Sequence, residues 1–349
     1  MKKIGIFLED MDHVTVDGNN SLFMFHGKMT TFATIGCEDV EFKNFAVDFQ
    51  VPTVIDMTVE SVEGNTATMY IPECYNYEVA GTTIKWYSDV SPYTGQRYWS
   101  ISDLSGYHTQ REDTVQGIKF GAGNGNAALK GVASIEDLGN HRVKITYNSK
   151  AGEVQNGMCF QSRPTVRDHA GTFFWKSKDI KMTSLDIQFL HGFGMVGQHS
   201  ENITMEDVDF EAPKESGRTT AGYADFVQMS GCKGAININN CTFAGPHDDP
   251  INIHGTFNTV TSISSDRRTI TVQYNHHETA GFPNFFKGDE IEFMTKGNMI
   301  TVENSVRTVT KVDGPDGMGG NMGDGSGSLT TIKLTLNEAV PSDVQVNQH

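Results

Sequence analysis

A chain of 349 residues is longer than one hydrophobic core usually supports, so two or three structural units are expected. Lys and Arg number 27 against 43 Asp and Glu; the net charge of −16 argues against a phosphate-backbone partner such as nucleic acid and favours a neutral or weakly charged ligand. Hydrophobic residues at 37% and aromatic residues at 10% belong to a folded globular chain, and no run approaches the roughly eighteen apolar residues of a membrane span.

The chain opens on strand-like sequence at residues 3–8. Met1-Lys2-Lys3 imitates the basic start of a signal peptide, but Glu9, Asp10 and Asp12 interrupt the apolar stretch too early, so no targeting signal is expected within the chain. An apolar template with spacing 0, 2, 5, 7 then recurs. Its four full copies are Val40, Phe42, Phe45, Val47; Ile180, Met182, Leu185, Ile187; Ile203, Met205, Val208, Phe210; and Ile236, Ile238, Cys241, Phe243, with Val14 and Val16 beginning an incomplete one. Each pair is a period-two strand fragment, and the extra residue between pairs marks a bend. Asn44, Ser184, Asp207 and Asn240 occupy that bend, residues whose side chains satisfy turn backbone. From Ile180 to Ile203 is 23 residues and from Ile203 to Ile236 is 33, within the range of solenoid repeats. The fold expected is all-β: a right-handed parallel β-helix carrying two inserted antiparallel β-barrel or sandwich domains.

The expected division places the first coils at 1–50, an inserted β-domain at 51–158, the coils carrying the site at 159–256, and a second inserted domain at 257–349, with further coils to follow. The first insert contains TVESVEGNTATMYIP and GVASIEDLGNHRVKITY, each a strand, a polar turn and a second strand. The second repeats that grammar in TVTSISSDRRTITVQY, with FFKGDEIEFM and LTTIKLTL beyond. GPDGMGGNMGDGSGS, residues 314–328, reads as a mobile loop with spacing too irregular for a calcium repeat. Neither end carries a capping element, and terminal coils need covering, so the chain reads as part of a longer polypeptide. Cys37, Cys74, Cys159, Cys232 and Cys241 are odd in number and lack a C-x-x-C pair, which suits mostly buried thiols better than a zinc site or a disulfide framework.

Chemistry concentrates in residues 221–256. Asp225 opens D-F-V-Q-M-S and Asp249, 24 residues later, opens D-P-I-N-I-H; residues 194–199 read G-M-V-G-Q-H at the same phase. If each segment is one strand of a stacked coil, Asp225 and Asp249 are neighbours about 4.8 Å apart, and Asp248 projects out of their column. Such a trio suits inverting glycoside hydrolysis, with Asp248 protonating the leaving oxygen and Asp225 and Asp249 holding the attacking water. Stacked like charges also raise at least one pKa of the group. A bland reading has Asp248 and Asp249 merely ending a strand before Pro250. A third, calcium-dependent lyase chemistry, has oxygen ligands to hand but needs a cationic base, and no Lys or Arg lies between Gly234 and Thr256.

The run ADFVQMSGCKGAININNCTFAGPHDDPINIHGT (224–256), with FQSRPTVRDHAGTFFWKSKDI upstream (160–180), SGR at 216–218 and the opening GIFLEDMDHVTVDG and LFMFHGKMT, resembles glycoside hydrolase family 110 over nearly the whole chain. These are exo-acting α-1,3-galactosidases, some of which remove the blood group B galactose. The resemblance implies a β-helix with inserted β-domains, an inverting mechanism, no cofactor or required metal, and secretion or a periplasmic location for the full-length protein. It matches Asp248 to the proposed general acid and Asp225 and Asp249 to the water-activating acids. Members of the family extend further at both ends. The expected partner is an oligosaccharide or glycoconjugate with terminal α-galactose; oligomerisation is left open.

Around the trio, His247 adjoins the acids and is a candidate substrate contact. Trp175 is a candidate platform for the apolar face of galactose, or else core. Arg163, Arg167 and His169 are candidates for sugar hydroxyls or for loop ion pairs, while His191, His199 and His254 read as turn or core histidines. The alternatives to an exo-α-galactosidase are another β-helix polysaccharide hydrolase or lyase, and an inactive glycan-binding fragment of such an enzyme.

Overall fold

In a computed structural model, which describes residues 3–101, 108–113, 118–124, 127–151, 154–164, 167–275, 283–314 and 331–349, nearly all regular structure is β. The chain divides into two compact units, Met1–Ile253 and His254–His349.

The first unit is organised by two sheets between which the chain alternates. One runs through Ile4–Glu9, Thr30–Ile35, Thr172–Trp175, Met195–Gln198, Val227–Ser230 and Ile251–His254. The other runs through Asp12–Phe25, Glu38–Phe49, Lys178–Ile187, Glu201–Phe210 and Lys233–Asn239, with Thr242–Phe243 beside Glu201–Phe210. Every strand of the first sheet is followed by one of the second, except the last. Pairing is parallel from Ile4–Glu9 through Val227–Ser230 in the first sheet and throughout the second.

The apolar template accounts for the register of the second sheet. Val40, Ile180, Ile203 and Ile236 pair in one column and Phe42, Met182, Met205 and Ile238 in the next; Val14 and Val16 extend both. These side chains share a core with Phe32, Phe174, Met195, Val227 and Met229 of the first sheet. The Phe210 ring stacks with those of Phe226 and Phe243, at 5.3 and 5.2 Å, and these two lie 6.5 Å from each other. Between the template pairs, Asn44, Ser184, Asp207 and Asn240 all take left-handed backbone, with φ of 56, 52, 53 and 51°. Asx residues tolerate that conformation better than most, and Asn44 Nδ2 also donates to Asp17 Oδ1, 27 residues away on the neighbouring strand, at 3.2 Å.

A seven-stranded sheet is inserted after Phe49. Its order is Ile118–Asn124, His108–Asp113, Met158–Arg163, Ile55–Glu63, Thr66–Tyr70, Arg142–Tyr147, Val132–Gly139, all antiparallel. Both expected hairpins are in it. The expected limit at 158 falls at the first residue of a strand that belongs to this sheet, because Cys159, Phe160, Gln161 and Ser162 pair with Ile55–Glu63. Parallel pairing resumes only at Thr172. A three-stranded sheet, Asn76–Ala80, Thr83–Tyr87 and Ser100–Ile101, packs Trp86 and Ile101 into the same core as Met57, Met69 and Ile145.

The second unit holds a five-stranded antiparallel sheet in the order Asn258–Ile263, Thr269–Tyr274, Thr331–Leu336, Arg307–Asp313, Glu290–Ile291. Its core is Val260, Ile270, Val272, Phe293, Val309, Ile332 and Leu334. The glycine-rich stretch read as a loop lies almost wholly within 315–330, outside the described residues. All five cysteines are free thiols, Cys37 and Cys159 buried and the other three half-buried. No helix among the described residues is long and apolar enough to cross a membrane.

Candidate active site

The chemically versatile side chains of the first unit collect where the chain enters the first sheet. Lys28 precedes Thr30–Ile35; Arg167, Asp168 and His169 precede Thr172–Trp175; His191 precedes Met195–Gln198; Asp225 precedes Val227–Ser230; His247, Asp248 and Asp249 precede Ile251–His254. The site is a property of one edge of a stack.

The stacking of Asp225 and Asp249 can be read from the backbone. Phe226 N donates to Asp249 O at 3.0 Å and Val227 N to Pro250 O at 3.2 Å. Met195 N donates to Phe226 O in the same pattern, where Met195 is paired with Val227. The same geometry therefore sets Asp225 opposite Asp249, at the offset expected from the sequence. The alignment expected for residues 194–199 is one residue out: Met195 pairs with Val227, not Phe226. Continuing that register backwards puts Phe193, not Gly194, beside Asp225. Gly194 holds left-handed backbone at φ 67°, and a Cβ there would come within 2.2 Å of Asp225 O, so only glycine fits.

Asp225 is buried whereas Asp248 and Asp249 are exposed. Asn252 Nδ2 lies 3.4 Å from Asp225 Oδ2, and Asp225 Oδ1 has no hydrogen bond among the described residues. Burial, then the charge of Asp248 and more weakly that of Asp249, push the Asp225 carboxyl up to about 6, against the opposing pull of Arg167 and Asn252. Arg167 ties the group together. One of its terminal nitrogens donates to Asp248 Oδ2, the other stands 3.8 Å from Asp225 Oδ1, and its guanidinium lies over the Phe193 ring at 5.0 Å.

Arg167 answers an objection drawn from sequence. The absence of Lys or Arg between Gly234 and Thr256 counted against any cation near the acids. The stack supplies one from 81 residues upstream.

Arg163, a candidate sugar contact, is buried with its guanidinium 4.7 Å over the Tyr223 ring, and donates to Pro164 O at 3.1 Å. Burial lowers its pKa. Tyr223 OH donates to the same carbonyl at 2.5 Å, so Arg163 and Tyr223 form a packed unit behind the acids. His247 is buried directly before Asp248. Trp175 is half-buried and pairs with Gln198, which pairs with Ser230. Five residues along the strand from Asp225, at about 3.3 Å each, place it roughly 16 Å from the acids along the strand direction, too far to stack on a sugar held between them. The aromatic ring that does lie at the acids is Phe193. Nothing in its local sequence distinguishes it from core.

A second group lies on the same edge. Asp168 Oδ1 is 2.8 Å from His191 Nε2 and 3.1 Å from His169 Nδ1, and Oδ2 is 3.8 Å from Lys28 Nζ. His191 Nδ1 is 2.6 Å from Thr53 Oγ1. Burial lowers the His191 pKa to about 4; for Asp168 burial alone would raise the pKa, but bonds from His169 and His191 hold it far below the usual carboxylate range. The three donor atoms lie within 4.8 Å of one another, the spacing of a metal site, yet Lys28 already supplies the cation. The arginine of the SGR motif is also committed: Arg218 makes a buried two-pronged pair with Asp48, at 2.9 and 2.7 Å.

Comparison with known proteins adds the following. Residues 269–316 match the family of GLAA-B beta-barrel domain II. Among curated proteins, the chain is 42% identical over 348 residues to an alpha-1,3-galactosidase A of Streptomyces avermitilis, covering 99% of this chain and 54% of that protein. It is 38% identical to one of Peterkaempfera griseoplana, covering 98% and 47%, and 33% identical to one of Bacteroides thetaiotaomicron, covering 86% and 50%. The chain thus spans about half the length of the curated relatives it matches.

Proposed function

Given that the chain is homologous over nearly all of its length to alpha-1,3-galactosidases, in keeping with the resemblance to glycoside hydrolase family 110, we propose that it is an inverting exo-α-galactosidase acting on terminal α-1,3-linked galactose. Asp248 is the acid that protonates the leaving oxygen. Asp225 and Asp249 hold and deprotonate the attacking water. One observation carries this reading: a buried carboxylate oxygen, Asp225 Oδ1, without a hydrogen bond among the described residues, on a residue whose backbone stands opposite a second acid. Buried polar atoms are nearly always bonded, and an exception at a cluster of acids marks a place kept for a reactant.

The two parallel sheets sharing one core are, on this reading, faces of a right-handed parallel β-helix, from which the antiparallel sheets hang as two β-domains. The reaction uses carboxylates alone and needs no cofactor or metal. The partner is an oligosaccharide or glycoconjugate ending in α-galactose, branched or linear, met outside the cytoplasm by the full-length protein. A lyase is the second reading, because Arg167 places a cation beside the acids.

The deciding experiment is incubation with a panel of α-galactosides under proton NMR. Release of galactose as the β-anomer first is expected; the α-anomer first rejects inversion, and an unsaturated product or loss of activity on chelation favours the lyase. The kcat/KM profile should rise with pH through about 6 as Asp225 ionises, since the water-activating acid works only as the carboxylate.

A further inference from the structure

Arg167 is within reach of two carboxylates and bonded to one. Its pair with Asp248 occupies Oδ2 of the acid that, on the hydrolase reading, has to face the leaving oxygen. Asp225 is almost completely buried and lacks a hydrogen bond at the oxygen nearest the guanidinium. Burial and the neighbouring charges of Asp248 and Asp249 favour its neutral form, which cannot take a proton from water.

We propose that Arg167 is a positioning residue that changes partner when the galactoside binds, leaving Asp248 and closing on Asp225. This rests on the hydrolase reading above. The leaving oxygen enters between Asp248 and the guanidinium, and the freed guanidinium needs to travel only the last part of its present 3.8 Å separation from Asp225 Oδ1. Closing on Asp225, the guanidinium opposes the neutral form of the water-activating acid, and Asp248 is left to face the leaving oxygen. No covalent bond is made or broken in this step. Neighbouring groups favour Arg167 as the moving part. Arg163 is packed on Tyr223, Asn252 is bound to Asp225, His247 is buried, and Asp249 is fixed opposite Asp225 by the backbone. Arg167 is partly exposed and slides over the face of Phe193, which has no polar group to hold it.

The test has two arms. In wild type labelled with 15N in arginine, saturating galactose should shift the Arg167 Nη signals towards those of sugar-free Asp248→Asn, in which only Asp225 remains as partner; unchanged signals with galactose bound overturn the proposal. In kinetics on an α-galactoside, Arg167→Gln should lower kcat by about a hundredfold and move the acidic limb of the kcat/KM profile to higher pH, since Asp225 loses the cation that opposes its proton. Arg167→Lys, which keeps the charge, should leave the limbs near their wild-type positions. Arg167→Gln slowed equally at every pH makes the residue structural and ends the proposal alone. A wild type that hydrolyses no α-galactoside ends the hydrolase reading and the proposal with it.

Discussion

Two groups of ionisable side chains occupy the same edge of the same sheet, with opposite balances of charge. Around Asp168, one carboxylate faces two imidazoles and an ammonium, and its charge is settled. Around Asp225, three carboxylates gather about one arginine, which bonds Asp248 and stands 3.8 Å from Asp225, and the most buried of the three is pushed up to about 6. Backbone geometry is common to both, since each lies in the turn before a strand. The stack supplies places; the ratio of carboxylates to donors decides whether a proton is left to move.

The comparison breaks first at Asp248. Asp248→Asn should lose about 10²–10⁴ in kcat/KM on sugar-linked substrates, the range for removal of a general acid. The loss should be much smaller on an aryl galactoside, whose leaving group needs no proton. On that substrate the acidic limb should lie below its wild-type position near 6, because the charge of Asp248 helps to raise Asp225 and because Arg167 is released to it. Asp225→Asn should be equally slow on both substrates. Equal losses for Asp248→Asn on both would remove its role as acid.

The second sheet was legible in the sequence and the site only partly so. Four copies of one apolar template gave register, core and bend, because parallel strands in register repeat the same burial and Val40, Ile180, Ile203 and Ile236 meet the same surroundings. The Asp225–Asp249 offset was legible for the same reason. Register one coil earlier was not: Gly192 and Gly194, both left-handed, change how many residues the turn spends before the strand, and apolar pattern carries no trace of that. Arg167 was one of several arginines in a polar loop. That it meets Asp248 depends on how the chain returns from a seven-stranded insert, a long-range event without local signature. Trp175 looked apt for sugar stacking by residue type, and only the pairing through Gln198 to Ser230 shows its distance from the acids.

The second group should respond to mutation as structure. Asp168→Asn should cost about 1–3 kcal/mol, the penalty for leaving buried donors without an acceptor, with the limbs of the kcat/KM profile unmoved. Because the folded state holds the Asp168 carboxyl below its unfolded value of about 3.9, its contribution is present above that pH and lost as pH falls through the folded value. Urea unfolding of wild type and variant should therefore converge as pH falls below about 4. A shift of the pH–rate limbs in Asp168→Asn would put this group into the chemistry and erase the distinction.

Asp56 is a carboxyl with no cation in contact among the described residues. It is fully buried in the inserted sheet and accepts from Thr219 Oγ1 at 2.7 Å, Tyr75 OH at 3.2 Å and Cys159 Sγ at 3.3 Å. Arg218, the cation that acts on it from a distance, is bonded to Asp48. Burial outweighs the three donors and raises its pKa, so its contribution to stability is full below the unfolded value of about 3.9 and is lost as pH rises through the folded one. Asparagine is uncharged at every pH and nearly isosteric, so Asp56→Asn should differ from wild type by only about 1 kcal/mol near neutrality. The advantage of wild type over the variant should shrink as pH rises, the reverse of the slope expected for Asp168→Asn. Thermal melts of both variants and wild type from about pH 2 to pH 8 take in both windows, that of Asp168 below the unfolded carboxylate value and that of Asp56 above it. Slopes of the same sign would mean that the number of cations facing a carboxylate does not set its charge in this fold, and the contrast drawn between Asp168 and Asp225 would lose its basis.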